Sequence, residues 1–295
     1  MKTLSKCYTI LIFVLLYAPI AVMILFSFNS SSSTSVFSGF SLHWYEELFK
    51  DSATMNALKN TLLISVTAAL AATVLGTLAT VGIRSLRKRY VRNMVQSVTN
   101  IPMMNPDIVT GISMMLLFVF AASILHSKNV LGFHTLLLAH ITFNLPYVIL
   151  SVMPKFRQMD QSLPEAALDL GCTPIQAFFK VELPAIMPGI ITAFITAFTL
   201  SLDDFVVSYF TTGSSFETLP IRIFSMTKKR VTPDMYALST LIFIAILALL
   251  LLYNFTGTRE EREKNRALRA ARKQAKEARE AAKKAQAADS KTSKS

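Results

Sequence analysis

The sequence predicts an all-α membrane protein with six transmembrane helices. Of its 295 residues, 52% are hydrophobic and only 16% are charged, whereas a typical soluble domain has about 25% charged residues. The charge is concentrated in the last 39 positions, which hold 13 Lys/Arg and 6 Asp/Glu residues. The rest of the chain contains six apolar runs of about 20 residues, which is the length that crosses a bilayer as a helix.

The six apolar runs are nearly free of charge, and none alternates polar and apolar residues as a membrane-barrel strand does. We therefore expect helices at 8–28, 61–83, 108–125, 131–153, 187–209 and 236–255. The first run is too long for the core of a signal peptide and has no small-residue cleavage site after it, so we expect it to be retained. The two cysteines exclude a disulfide scaffold and a cysteine-based zinc cluster.

The distribution of basic residues predicts the orientation of the helices. With the N-terminus inside, the inner segments hold 10 of the 30 Lys/Arg residues and the tail adds 13, so both termini are predicted to be cytoplasmic. The chain then divides into a transmembrane domain, 1–256, and a basic tail, 257–295. We expect the tail to be a solvated helix near anionic lipid. RNA binding by the tail is the weaker alternative, and nucleic acid is not a predicted partner.

The inner loop between the fourth and fifth helices, residues 160–186, has the most informative pattern. Ser162 and Glu165 are spaced as a capping box that opens a short helix, and Gly171 is a natural end for it. Thr173 and Pro174 then predict the cap and first position of a second helix, which should end by Pro184. This elbow, with small alanines exposed at its corner, is either a docking element or a helix that lies on lipid.

The same loop resembles the EAA loop of ABC-importer permeases. The matching residues are Glu165-Ala166-Ala167, Gly171 and Val181-Glu182-Leu183-Pro184, and Val181 in place of Ile is the only departure. Four further segments are similar to the C-type permease of spermidine/putrescine importers: Trp44-Tyr45, Asn60-Thr61-Leu62, Pro106-Asp107-Ile108 and Ser201-Leu202-Asp203-Asp204. The resemblance covers about residues 1–256.

The resemblance implies a type I importer permease in a bacterial cytoplasmic membrane, which moves polyamines by alternating access. It implies contact with an ATPase dimer through the loop residues Glu165, Ala166, Ala167, Gly171, Leu183 and Pro184. It also implies a second homologous permease and an extracytoplasmic substrate-binding protein. The nine glycines form no phosphate-binding loop, so we expect ATP and magnesium on the ATPase. For this chain we expect no enzymatic activity, no cofactor and no metal.

Acidic residues within the apolar runs are the candidates for the substrate path. A carboxylate in the middle of a membrane helix costs roughly 2.5–3.5 kcal/mol. On a continuous helix, the side chains of Asp203 and Asp204 diverge by about 100°, so one would line a path for a cation while the other bonds a neighbouring helix. Alternatively, both form a structural pair. Asp107 either caps the third helix or faces the same path.

Aromatic and basic residues on the outer side are each open to two interpretations. Trp44 and Tyr45 either anchor the chain at the membrane interface or stack on an aliphatic amine. Lys228, Lys229 and Arg230, with Arg222 nearby, depart from the positive-inside tendency. They form either a rim that docks acidic residues of the substrate-binding protein or a contact with lipid headgroups.

Small and polar residues within the helices predict packing between them. Ala68, Ala72, Gly76 and Thr80 recur every four residues and favour close packing within the chain over a subunit interface. His134, His140 and Asn144 are expected to make hydrogen bonds between helices rather than to bind ligands.

Other functions remain as alternatives. They are an importer of the same class for another solute, such as a metal cation, and a stand-alone ion-coupled carrier. An intramembrane aspartyl protease is disfavoured, because it needs two carboxylates that converge from different helices, whereas Asp203 and Asp204 are neighbours.

Overall fold

The structure is a computed structural model and describes residues 2–33, 36–126, 130–160, 162–214, 216–228, 233–248 and 250–251. These ranges are almost entirely helical, and within them the β-structure is limited to an isolated bridge between Asn29 and Phe40. The predicted tail, 257–295, lies outside the described residues.

Twelve helices are named here in chain order. They are α1 (Lys2–Phe26), α2 (His43–Lys50), α3 (Ser52–Ser85), α4 (Arg89–Met104), α5 (Asp107–Ile124), α6 (Phe133–Gln158), α7 (Ser162–Asp169), α8 (Pro174–Ala177), α9 (Leu183–Asp203), α10 (Val206–Thr211), α11 (Leu219–Thr227) and α12 (Pro233–Ala248). A π-helical segment, Phe178–Glu182, joins α8 to α9.

The prediction of an all-helical membrane protein is confirmed. Within the described residues, five helical stretches are long and apolar enough to cross a membrane: α1, α3, α5, α6 and the continuous run from α8 to the end of α9. Helix α12 is a shorter apolar helix. The chain divides into two compact units, Met1–Phe243 and Ile244–Ser295. The second is described only at 244–248 and 250–251, which are helical.

Helices α3, α6 and α9 form the centre of the first unit. Their shared core combines alanines with larger apolar side chains: Ala69, Ala72, Val148, Val152, Phe156, Met159, Ile186, Ala193 and Ala197. Small residues let the helix backbones approach closely. A Cβ on Gly76 would lie 2.5 Å from Val148 Cγ1, and one on Gly189 would lie 3.2 Å from the Ser151 carbonyl oxygen. The small-residue stripe of α3 therefore packs within the chain.

The fifth predicted helix, 187–209, is not continuous, and this prediction is corrected. Helix α9 ends at Asp203, Asp204 has extended backbone angles, and α10 begins at Val206. The interruption follows from the side chain of Asp204, which accepts hydrogen bonds from the amides of the next helical turn. A carboxylate in this position caps a new helix and stabilises the break.

Polar contacts distinguish the two ends of the bundle. At the elbow end, the last turn of α3 meets the π segment through Arg84 and Glu182. At the opposite end, α2 and α11 pack on the start of α3 and on α12 through Leu48, Ala57, Leu219 and Leu238. The residues between the second and third predicted helices include α4, which runs beside α3 and α6. Which end faces the cytoplasm stays a prediction.

Coupling elbow and membrane carboxylates

The elbow is built from α7, a glycine turn and α8. Gly171 has a φ of +85°, in the left-handed region that favours glycine. The amide of Gly171 donates to the Leu168 carbonyl, and that of Cys172 donates to the Ala167 carbonyl. This pair of bonds is the Schellman arrangement that terminates a helix. Thr173 and Gln176 then form a reciprocal capping box at the start of α8, as their types allow.

Three predictions about the elbow are wrong in detail. Ser162 is the first residue of α7 rather than its cap, and its amide donates to the Asp160 carboxylate. The second helix does not end by Pro184 but continues through the π segment into α9. Pro184 is the second residue of α9, which directly follows the π segment. Ala166 is exposed at the corner, but Ala167 is buried.

The solvent-exposed surface of the elbow is apolar. Leu170 is 87% exposed, Ile175 70% and Phe179 60%, and Leu163 and Leu168 are also exposed. Glu165, Ala166 and Gly171 lie on the same exposed elements, whereas Leu183 is half-buried and Pro184 exposed at the start of α9. Large apolar side chains clustered on an exposed surface with small and acidic neighbours are typical of a protein contact.

Arg84 connects the elbow to the helical core. Its Nη1 donates to Glu182 Oε2 at 3.0 Å, and its guanidinium lies 5.0 Å from the centroid of the Phe156 ring. Phe178 and Leu183 pack against the core shared by α3, α6 and α9. The elbow is therefore joined to these three helices by an ion pair and apolar packing.

Asp204 is held within the chain by three groups. Its two carboxylate oxygens accept from the amides of Val207 at 3.3 Å and Ser208 at 2.7 Å. Its Oδ2 also lies 3.5 Å from Nε2 of His140. The side chain of Asp204 is only 8% exposed and that of His140 1%. The Asp204 carboxylate thus stabilises the start of α10 and its contact with α6.

Two polar pairs join α6 to the helices around the break. His140 Nε2 lies 3.0 Å from Ser208 Oγ, and Asn144 Nδ2 donates to Ser201 Oγ at 2.7 Å. These pairs confirm the hydrogen bonds between helices predicted for His140 and Asn144, whereas His134 is exposed. Ser208 was missed in the sequence, although it follows Asp204 by four residues, the spacing of one helical turn.

Asp203 and Asp107 are the two exposed carboxylates within the apolar helices. Asp203 is the last residue of α9, and its side chain is exposed although its neighbour is buried. Asp107 is the first residue of α5, and the cap position before it is occupied by Pro106. Asp203 and Asp204 therefore differ in burial as well as in direction.

Trp44 and Tyr45 tie α2 to the segment that follows α1. Trp44 Nε1 donates to the Asn29 carbonyl at 2.7 Å, and the Tyr45 hydroxyl lies 2.8 Å from Ser27 Oγ. The Tyr45 ring also lies against Phe28, with centroids 5.3 Å apart. The polar atoms of both side chains are thus occupied inside the chain. Buried Asn29 and Ser27, which sequence reasoning missed, are their partners.

Arg222 is bound within the chain rather than presented on a basic rim. Its guanidinium lies 3.3 Å from Asp51 Oδ2 and 3.9 Å from Glu217 Oε2. Lys228 is exposed, and its Nζ lies 4.6 Å from the centroid of the Phe224 ring. Lys229 and Arg230 lie outside the described residues. The positive charge of Arg222 therefore has a structural role at the start of α3.

Asp51 is a capping carboxylate at the end of the bundle opposite the elbow. It caps α3, accepting from the amides of Ala53 and Thr54 and from the Thr54 hydroxyl. The hydroxyl bond is the largest cause that lowers the pKa of Asp51, with the Ala53 amide and Arg222 contributing. Among the residues that the structure describes, no group of three or more His, Cys, Asp or Glu side chains is placed to hold a metal ion.

Comparison with known proteins identifies the family. The family model for the binding-protein-dependent transport system inner membrane component matches residues 72–259. The putrescine transport system permease protein PotI of Escherichia coli is 42% identical over 234 residues, which are 79% of this chain and 83% of that protein. The spermidine/putrescine transport system permease protein PotC of Haemophilus influenzae is 37% identical over 249 residues, or 84% and 94% of the two chains.

Solved structures support the same fold. A chain of a bacterial ABC transporter involved in the import of the acidic polysaccharide alginate superposes with a TM-score of 0.69, over 87% of this chain and 94% of that one. Its sequence is 16% identical, so the likeness concerns the fold alone. Together with the relatives, it confirms the resemblance drawn from the EAA-type loop. The chain therefore belongs to the family of binding-protein-dependent transport system inner membrane components.

Proposed function

We propose that this permease component moves polyamines across the cytoplasmic membrane as one of two permease subunits of an ABC importer. A separate ATPase dimer hydrolyses ATP, and a substrate-binding protein delivers the polyamine from outside. The chain binds no cofactor of its own in this scheme. The proposal extends to this chain the substrates named for its relatives, of which two are 37% and 42% identical.

The observation that carries the polyamine assignment is the unequal burial of Asp203 and Asp204. Asp204 is satisfied inside the chain by two amides and His140, whereas Asp203 is exposed at the end of α9. An exposed carboxylate that faced lipid would cost roughly 2.5–3.5 kcal/mol at the helix centre. We therefore assign Asp203 to a water-filled path, where its negative charge attracts the ammonium groups of a polyamine. Asp107 would be a second such carboxylate.

The elbow is the proposed contact with the ATPase. Its exposed leucines, Ile175 and Phe179 form an apolar surface next to Glu165, and the Arg84–Glu182 pair joins it to α3. Closure of the ATPase dimer would pull this surface, and the core helices would carry the movement to the break at Asp204. Broken helices beside a substrate path are common in transporters that work by alternating access.

The outer basic residues Lys228, Lys229 and Arg230 are proposed to meet the substrate-binding protein. Arg222 is removed from this group because it is paired with Asp51. Charges at the rim of an interface mainly change the association rate and its salt dependence. Lys228→Glu with Lys229→Glu should therefore weaken stimulation by the binding protein most at low salt and leave basal ATP hydrolysis unchanged. Equal stimulation at all salt concentrations would favour a contact with lipid headgroups.

The decisive experiment is copurification followed by ATPase measurement in liposomes. The full chain, expressed with the neighbouring genes of its operon, should retain an ATPase. Hydrolysis should rise when the binding protein carries spermidine or putrescine. If a metal cation stimulates hydrolysis and polyamines do not, the transported solute is the metal cation rather than a polyamine. Uptake without any copurifying ATPase would favour a stand-alone carrier.

Variants of the elbow test the coupling step. Glu165→Ala and Leu170→Glu should reduce ATPase copurification and uptake, because they alter the exposed docking surface without touching the core. Val36→Glu, at another exposed apolar position, is the matched control and should leave both unchanged. Normal copurification of both elbow variants would contradict the assignment.

A further inference from the structure

A cavity of about 650 Å³ lies at the elbow end, where α4 meets the ends of α3 and α6. Four arginines line it: Arg84, Arg89, Arg92 and Arg157. Four guanidinium groups around one space repel a cationic substrate, so the proposed polyamine transport does not account for this cavity. The chemistry of its lining points to a ligand that carries negative charge.

The charges around this arginine cavity are only partly balanced by the chain. Glu182 pairs with Arg84 at 3.0 Å. Among the described residues, no carboxylate is within ion-pair distance of the other three arginines. Arg157 donates to the neutral Gln96 side chain at 3.2 Å. The lining therefore carries a local excess of about three positive charges.

The donors of the cavity suit a phosphate group. A guanidinium presents a planar fork of N–H groups that matches phosphate oxygens in a bidentate manner. The side-chain amide of Asn93 adds a neutral donor, whereas Met153 and Phe156 in the same lining are buried and offer little apolar surface.

The surroundings of the cavity place it at the depth of lipid headgroups. Arg84 lies in the last turn of α3 and Arg157 in the last turn of α6, where these apolar helices end. Helix α4 combines basic residues with an exposed apolar side formed by Tyr90, Met94, Val98 and Ile101. Such a basic amphipathic helix is typical of contact with anionic membrane surfaces.

We infer that this cavity binds the phosphate of an anionic lipid headgroup, such as that of cardiolipin or phosphatidylglycerol. Basic pockets between membrane helices bind such headgroups. A free phosphate ion shares the charged part of this chemistry. The exposed apolar side of α4 favours the lipid, because only a lipid has acyl chains to cover it.

Native mass spectrometry of the full chain in detergent tests the inference. Cardiolipin, phosphatidylcholine with the same acyl chains, and inorganic phosphate are titrated separately. We expect cardiolipin to remain bound at concentrations where phosphatidylcholine does not, and inorganic phosphate to displace it only at much higher concentration. Cardiolipin should also raise the unfolding midpoint of the protein.

Paired variants locate the binding to this cavity. Arg89→Gln with Arg92→Gln should weaken cardiolipin binding at least tenfold and remove its effect on the unfolding midpoint. Arg89 is exposed and Arg92 half-buried, so the fold should be kept. Lys50→Gln with Lys59→Gln removes two exposed cations at the opposite end and should change neither measurement.

Three outcomes would overturn the inference. Unchanged cardiolipin binding in the arginine variant would show that the lipid binds elsewhere. Equal retention of phosphatidylcholine would show that the headgroup charge is not recognised. Inorganic phosphate binding as tightly as cardiolipin would reassign the cavity to a free anion. If the glutamine variant fails to fold, Arg89→Lys with Arg92→Lys replaces it, and an unchanged affinity there would contradict bidentate recognition.

Discussion

Nε2 of His140 lies 3.5 Å from Oδ2 of Asp204, and both side chains are buried where α6 passes the break between α9 and α10. The two residues are 64 positions apart in the sequence. The contact holds Asp204 inside the chain, whereas the adjacent Asp203 is exposed.

This division predicts different effects of Asp203→Asn and Asp204→Ala. Asp204→Ala removes the cap of α10, which costs about 0.5–2 kcal/mol, and leaves His140 without its carboxylate. The unfolding midpoint of the Asp204→Ala variant should fall. Asp203→Asn should raise the apparent KM for a polyamine several-fold and leave the midpoint unchanged. Thermal unfolding and uptake measured on the same preparations separate the two effects; a normal KM in Asp203→Asn would remove Asp203 from the substrate path.

Two glycines of α3 should respond in opposite ways to a single added methyl group. In Gly76→Ala, the new Cβ would lie 2.5 Å from Val148 Cγ1, and such overpacking costs about 1–3 kcal/mol. Gly82 has no atom within 4 Å of its added Cβ. Gly82→Ala should therefore be neutral or stabilise by up to about 1 kcal/mol through helix propensity. Denaturation in detergent measures both, and equal stability of the two variants would contradict the close packing of α3 on α6.

The turn at Gly171 should require only that residue 171 can adopt a left-handed backbone conformation. Gly171 has a φ of +85° and open space around its Cβ position. Gly171→Asn should keep coupling, since asparagine tolerates the left-handed region, whereas Gly171→Val should lose it, because a branched side chain is strained there by about 1–2 kcal/mol or more. Uptake and ATPase copurification are the measurements. Loss of both in the asparagine variant would mean that the partner contacts the glycine surface itself.

Asp51 should make stability depend on pH, because its pKa is lowered mainly by the hydrogen bond from the Thr54 hydroxyl, with the Ala53 amide and Arg222 contributing. Because the pKa of Asp51 in the folded protein is lowered from its ordinary value of 3.8, its contribution is complete above that value and is lost as the pH falls through the folded pKa. At neutral pH, Asp51→Asn should cost a few tenths to about 1 kcal/mol, as expected for a partly exposed pair. The stabilities of wild type and variant should differ at pH 7 and converge as the pH falls through the folded pKa of Asp51. A constant difference would assign the effect to the cap rather than to the charge.

The sequence predicts best those features that depend on neighbouring residues. The apolar run 108–125 lies within one residue of α5, and Thr173 caps α8 as its type and spacing indicate. Ser162 is instead the first residue of α7, and its amide donates to the Asp160 carboxylate. Local patterns thus locate an element more closely than they fix its first residue.

Features that depend on distant residues could not be predicted in this way. The segment from Leu202 to Phe205 contains no proline or glycine, so a continuous helix was the natural expectation. The break is stabilised from α6, by His140 on Asp204 and by Asn144 on Ser201. The pairing of Arg222 with Asp51 joins residues 171 positions apart, and only the fold brings them together.

Helix α9 lies between two interruptions of regular α-helix, the π segment before it and the break at Asp204 after it. Between the π segment and the break at Asp204 it has 21 residues, with Pro188 inside it, or a length of about 32 Å at 1.5 Å per residue. A close approach to α6 occurs at Gly189, against Ser151, which lies about 10 Å along the helix from Glu182 and about 21 Å from Asp203. If α9 tilts about that contact, a displacement at the elbow is roughly doubled at the carboxylate.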